Sequence, residues 1–164
     1  MQLRFGILTA SDRSSVGERL DETSPAIKKE IEAAKWVVIR VAVIPDDFII
    51  IQETLKSWVD RNDLDVILTT GGTGFSRRDI TPEATLAVVD RLAPGLVEAM
   101  RFQGMSSTSH AMLSRAVAGI RGQVVIINLP GSPKAAVENF RVVQPVLTHA
   151  IELLRNEPDS ESHH

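Results

Sequence analysis

The chain has no cysteine among its 164 residues, which removes disulfides, thiolate nucleophiles and cysteine zinc sites together. Aromatic side chains are scarce, 4% against 43% hydrophobic residues overall, so any core must be packed from Val, Ile and Leu. Neither sign of charge dominates. The 18 basic and 21 acidic side chains leave a net charge of -3, which argues against holding nucleic acid by a bulk electrostatic field but leaves room for a local pocket that takes one small anion. No apolar run approaches the length of a membrane span, and the opening MQLRFGILTA enters a strand-like stretch without the apolar segment and cleavage site of a secretory signal. The expectation is a cytoplasmic protein with one domain over residues 1–154 and no membrane or nucleic-acid partner. Residues 155–164 read as a disordered polar tail, and its terminal His163 and His164 carry no metal-site signal.

What is present is alternation. Apolar runs suited to buried strands occupy residues 3–9, 37–44, 65–70 and 124–129. Helical spacing fills the intervals. Thr23, Ser24 and Pro25 start a helix that runs to about residue 34, and Asp46 or Asp47 caps one that runs to about 61. Thr81, with Pro82 at the first helical position, opens a helix to 92; another spans 94 to about 102; Ser132 and Pro133 open the last, to 154, with Pro145 as a candidate break. The segment through Arg115 and Gly119 is not assigned. Continuous apolar strands between amphipathic helices predict a three-layer α/β sandwich with a mostly parallel central sheet. In such sheets ligands gather beyond the carboxyl ends of the strands. That rule places Ser11, Asp12, Asp46, residues 71–79 and residues 131–134 on one rim.

The stretch LTTGGTGFSRRDITPEAT at residues 68–85 is where strand, glycine loop and helix start come together. Gly71, Gly72, Thr73 and Gly74 form a turn whose backbone can approach a ligand closely, and unpaired N–H groups with a helix dipole favour an anion. Asp79 beside a phosphate would be repulsive unless a divalent cation lay between them, which implies magnesium. A second loop repeats the logic with Pro130, Gly131, Ser132 and Pro133, and Lys134 adds positive charge. GGTG matches neither of the common nucleotide fingerprints, and each loop alone reads equally well as a capped helix start. Two on one rim point to a substrate with separate phosphate groups, and Asp46 with Asp79 can hold a metal between them. Helix capping is the competing reading of Asp46. Ser114, Arg115 and Arg121 are candidate anion partners against the default of solvated arginines. His110 and His149 read as structural, and no nucleophile elbow is present.

Taken together, TTGGTGFSRRDITPEAT, IPDD, AMLSRAVAGIRG and INLPGSPKA resemble the molybdopterin adenylyltransferase family, whose relatives include the G domain of gephyrin. The resemblance extends from about residue 5 to 154. It implies a molybdopterin-binding α/β domain, usually a homotrimer, that transfers AMP from magnesium ATP to the terminal phosphate of molybdopterin and releases pyrophosphate. Carried over residue by residue, it makes Asp46 and Asp79 the catalytic and metal-holding acids. It assigns Gly71, Gly72, Thr73 and Gly74 to the reacting phosphates, and Ser114, Arg115, Pro130, Gly131, Ser132 and Pro133 mainly to molybdopterin. Lys134, beside the second loop, is a further substrate-binding candidate by its charge. Ser11 and Asp12 take a weaker substrate-binding role. The alternative is a non-catalytic molybdopterin carrier or scaffold. A related branch alters the RDITPE segment, whereas Arg78, Asp79, Thr81, Pro82 and Glu83 are all in place here, which favours the active branch. No second domain for metal insertion follows, so the resemblance implies hand-over to a separate molybdenum-insertion protein.

Overall fold

The structure is a computed structural model that describes residues 1–155; the tail beyond, with His163 and His164, lies outside the described residues. In chain order the elements are β1 (Arg4–Ala10), α1 (Asp12–Ser15), α2 (Thr23–Ala33), β2 (Val37–Ile44), α3 (Phe48–Asp60), β3 (Val66–Thr70), α4 (Thr81–Leu86), β4 (Arg91–Leu92), α5 (Pro94–Met105), β5 (Ala118–Arg121), β6 (Val124–Leu129) and α6 (Pro133–Leu154). A 3-10 turn at Ser109–Leu113 follows α5.

The strands form one six-stranded sheet in the order β2-β1-β3-β6-β5-β4. β2, β1, β3 and β6 run parallel, and β5 and β4 complete the edge antiparallel. Alternate side chains of the central strands leave the sheet on opposite faces. Phe5, Ile7, Leu68 and Ile127 meet Ile27 and Ile31 of α2 and Phe140 and Leu147 of α6. Leu8, Ile67 and Ile126 meet Ile51, Leu55 and Trp58 of α3 and Ala84 of α4. This is the expected three-layer architecture with an aliphatic core on each face.

The sheet also explains where the site must lie. β1 is followed by α2 on one face and β3 by α4 on the other, while β1 and β3 are direct neighbours. Their connections diverge and leave a crevice at the carboxyl ends of these two strands.

Several local expectations are corrected. The helix start at Thr23 and Ser24 is not self-capped: the Asp21 carboxylate accepts both of their backbone N–H groups at 3.1 Å. Thr81 is not an N-cap. Ile80 occupies that position, because the Thr81 N–H is already given to the Gly72 carbonyl at 3.1 Å, which draws Thr81 into the first turn. α4 stops at Leu86 rather than running to residue 92, since Arg91 and Leu92 peel away to pair with β5. α5 continues past residue 102 to Met105. α6 passes through Pro145 unbroken, held by the buried stripe Ala136, Phe140, Val143, Leu147 and Ile151. Arg155, placed at the head of the tail by the sequence reading, pairs with buried Asp65.

Candidate functional site

A cleft of about 370 Å³ opens at the crevice, lined among others by Thr9, Ser11, Asp21, Asp46, Thr70, Gly71, Gly72, Asp79, Gly131, Ser132 and Pro133. Its floor is a chain of hydroxyls from the ends of β1 and β3 and the first turn of α2. Thr9 Oγ1 lies 2.8 Å from Thr70 Oγ1 and 2.9 Å from Ser24 Oγ.

The glycine turns are built by close approach. Gly71 has φ +87°, and a Cβ there would stand 2.5 Å from the Ala10 carbonyl oxygen. Gly72 has φ +67°, and its Cβ would collide with Thr81 Oγ1 and stand 3.1 Å from Asp46 Oδ1. Neither position tolerates a side chain. The second loop packs directly on the first: a Cβ on Gly131 would lie 3.3 Å from Gly71 Cα. Thr23 Oγ1 donates to the Gly131 carbonyl at 2.7 Å and fixes that loop from the α2 side. Ser132 caps α6, accepting from the Ala135 N–H at 3.2 Å. The N-terminus of a 22-residue helix therefore faces the cleft.

Asp46 is released from helix capping by its neighbour, since Asp47 caps α3 by accepting the Ile50 N–H at 3.0 Å. Asp46 Oδ2 accepts the Asp12 N–H at 3.0 Å, and Asp12 Oδ1 accepts the Asp46 N–H at 3.0 Å. Asp46 Oδ1 is buried with no hydrogen-bond partner among the described residues. Burial pushes the Asp46 carboxyl above its ordinary pKa, and the negative charges of Asp12 and Asp79 add to that push against the hydrogen bond from the Asp12 backbone. Asp79 lines the same cleft, and its Oδ2 accepts the Ser76 N–H at 2.9 Å. Among the described residues no set of three His, Cys, Asp or Glu side chains is arranged to hold a metal ion. The donor set present, two carboxylates with one bare buried oxygen, is the partial kind that a hard divalent cation completes with substrate phosphates and water.

Of the remaining sequence-derived candidates, some line the first cleft, some line a second cavity, and Asp12, Arg115, Arg121 and Lys134 line neither. Ser11 lines the cleft and caps α1, accepting the Ser14 N–H at 3.1 Å. Asp12 is held by Arg78, whose Nε and Nη2 donate at 2.9 and 3.0 Å and keep its carboxyl below the ordinary range. Arg115 braces the first glycine turn: its Nε donates to the Gly74 carbonyl at 2.8 Å, its Nη2 to the Asp79 carbonyl at 2.9 Å, and its Nη1 to Glu83. Arg121 donates to the Val88 carbonyl at 2.8 Å. Thr73, Gly74, Ser114 and Pro130 line a second cavity of about 870 Å³ beside the first, together with His110. Lys134 lines neither cavity.

Sequence reasoning missed the floor and the fastening of the site. Thr9, Thr70 and Ser24 are buried polar residues; the signal for Thr9 and Thr70 was threonine at the end of otherwise apolar strands, while Ser24 sits in the first turn of α2. Asn128 is another, wholly buried in β6, giving its amide N–H groups to Thr69 and Thr85 Oγ1 at 2.9 Å each and accepting the Val117 N–H at 3.0 Å. A lone asparagine inside VVIINL was the available clue.

The chain matches the family described as a probable molybdopterin binding domain over residues 6–149. It is 40% identical over 153 residues to the molybdenum cofactor synthesis protein cinnamon of Drosophila melanogaster, covering 93% of this chain and 26% of that protein. The chain thus spans about a quarter of that relative's length. It is 42% identical over 155 residues to the molybdopterin adenylyltransferase of Escherichia coli K12, covering 91% of this chain and 80% of that enzyme. The crystal structure of the molybdopterin biosynthesis enzyme MoaB from Thermus thermophilus matches the fold with a TM-score of 0.89 at 47% identity, covering 95% of this chain and 98% of that one.

Proposed function

The chain belongs to the molybdopterin-binding domain family, and from that premise we propose that it is a molybdopterin adenylyltransferase, joining AMP from ATP to the terminal phosphate of molybdopterin. The observation that carries the reading is the contact between two glycine turns, Gly71-Gly72 and Gly131, on the rim where Asp46 keeps one buried oxygen bare. Two phosphate-bearing groups seated on touching turns are brought together, which is what a transfer between them requires.

In this reading the terminal phosphate of molybdopterin sits at the Ser132-capped start of α6, where the helix dipole favours its charge. The triphosphate lies along Gly71 and Gly72. A phosphate oxygen of molybdopterin attacks the α-phosphorus, the bond from that phosphorus to the bridging oxygen of the β-phosphate breaks, and pyrophosphate leaves with the electron pair. No covalent enzyme intermediate is needed, and the residues contribute placement and charge compensation. A magnesium ion held by Asp46 and Asp79 would supply positive charge beside the triphosphate.

The test is pyrophosphate release from ATP with molybdopterin present. The native chain releases it, and Asp79→Ala lowers the rate by at least about 100-fold, the scale expected when a main charge-positioning group is lost. Equal release by the variant removes Asp79 from the reaction, and pterin binding with no release by the native chain assigns a carrier instead. Cytoplasmic location, a homotrimer and hand-over of the adenylylated product to a molybdenum-insertion protein belong to the same proposal. Among the described residues no helix is long and apolar enough to cross a membrane. The half-exposed Ile39 and Val41 of the edge strand β2 and Ile49 of α3 supply apolar surface for self-assembly.

A further inference from the structure

Asp46 stands on a short turn between β2 and α3, and such a turn does not by itself fix a carboxylate. What fixes it lies in two other loops. Asp12, from the loop after β1, exchanges backbone and side-chain hydrogen bonds with Asp46, each taking the other's N–H at 3.0 Å. Arg78, from the loop after β3, closes a two-point fork on the Asp12 carboxylate at 2.9 and 3.0 Å. Arg78 is also the residue next to Asp79 in the chain. One carboxylate therefore joins the three loops that carry both acids of the cleft.

The occupancy of the oxygens separates the roles. Asp12 Oδ1 takes the Asp46 N–H and the Arg78 Nη2, and Oδ2 takes the Arg78 Nε. A carboxylate engaged by an arginine fork has little left for a cation or a phosphate-bound water. Asp46 Oδ1, in contrast, has no partner among the described residues. We propose that Asp12 and Arg78 are positioning residues: they touch neither nucleotide nor pterin, and they act on the reaction by holding Asp46 in place. The inference rests on Asp46 being a catalytic acid of the adenylyl transfer proposed above.

Three variants of the full chain test it: Arg78→Ala, Asp12→Ala and the pair combined. Two readouts are needed, steady-state pyrophosphate release with molybdopterin and ATP, and hydrogen exchange of the Asp46 backbone amide by NMR. Arg78 is largely exposed, and an exposed ion pair adds little to stability, so Arg78→Ala keeps the native melting temperature. Asp12→Ala and the double variant also strip the Asp46 N–H of its acceptor, so they melt slightly lower and stay folded under assay conditions. Each single change lowers kcat about 10- to 100-fold, the range found for outer partners of catalytic ligands, with KM for ATP unchanged. The double variant is no slower than Asp12→Ala, because without Asp12 the arginine has nothing to act through. The Asp46 amide exchanges faster in every variant, and Arg78→Lys, which cannot form the fork, falls between native and alanine. Losses that multiply in the double variant overturn the proposal, since they show Arg78 touching substrate directly. So does native protection of the Asp46 amide in Arg78→Ala. If the native chain shows no turnover, the adenylyltransferase reading falls, while faster Asp46 exchange still supports the positioning.

Discussion

Thr81 is wholly buried, and its hydroxyl has no hydrogen-bond partner among the described residues. An unsatisfied buried hydroxyl costs stability, and an apolar group of the same shape removes that cost. Thr81→Val is therefore expected to be neutral or to stabilise the fold by about 1 kcal/mol in urea unfolding. Gly71→Ala belongs to the same scale with the opposite sign. Positive φ and the Ala10 carbonyl oxygen 2.5 Å from the added Cβ make a loss of about 3 kcal/mol the expected result of the same measurement. Asp46 adds a pH dependence. Its folded pKa is raised above the unfolded value by burial first and by neighbouring negative charge. Its contribution to stability is thus fully present below the ordinary carboxyl pKa and is lost as pH rises through the raised one. Asp46→Asn should raise the urea midpoint at neutral pH, lose that advantage in acid, and, on the function proposed above, abolish adenylyl transfer. The convergence of Asp46 and Asp79 on one cleft was readable from the strand-end rule, but the choice between Asp46 and Asp47 was not. Either of two adjacent aspartates can cap α3 on sequence grounds, and only the bond from Ile50 to Asp47 frees the other.

At the scale of elements, the apolar runs identified β1, β2, β3 and β6 because these strands are fastened by their own side chains. β4 and β5 escaped for a physical reason. β5 contains Gly119, where a Cβ would stand 2.7 Å from Val89 Cγ1 and 2.8 Å from the Arg91 carbonyl oxygen, so it pairs by letting backbone come close rather than by presenting an apolar stripe. β4 is only two residues, Arg91 and Leu92, too short for any periodicity. The far end of the sheet has its own fastening. Asp65, ahead of β3 and 2% exposed, accepts from the Arg4 N–H at 2.8 Å and its guanidinium at 3.0 and 3.1 Å, and pairs with Arg155. Burial alone would raise the Asp65 carboxyl, but the hydrogen bonds from Arg4 and the charge of Arg155 outweigh it and hold the pKa below the ordinary value. Stability from Asp65 is then present above the ordinary carboxyl pKa and lost as pH falls through the lowered one. Asp65→Ala leaves two arginines facing a vacated site and is expected to cost about 3–5 kcal/mol in urea unfolding, with the difference from native shrinking in acid.

For the whole molecule, the three-layer order was legible because strands and helices alternate, and that order by itself puts the divergent loops of β1 and β3 on one rim. What the alternation could not show is how three loops are locked into one constellation, since a hydrogen bond from Arg78 to Asp12 leaves no periodic trace. The apolar surface of β2 and α3 gives the prediction at this scale. The chain is expected to run at three times its monomer mass in light scattering, and Ile39→Lys with Val41→Lys to shift it toward the monomer while leaving the fold intact. A native chain that stays monomeric at every concentration removes the assembly reading.

The contact of Gly131 with Gly71 has one more consequence. The separation between the two loops is set by main chain pressed against main chain, so it works as a gauge that only an added side chain at the contact itself, as in Gly131→Ala, would widen. In the adenylyl transfer proposed above, donors or acceptors whose reactive groups stand farther apart are refused by spacing.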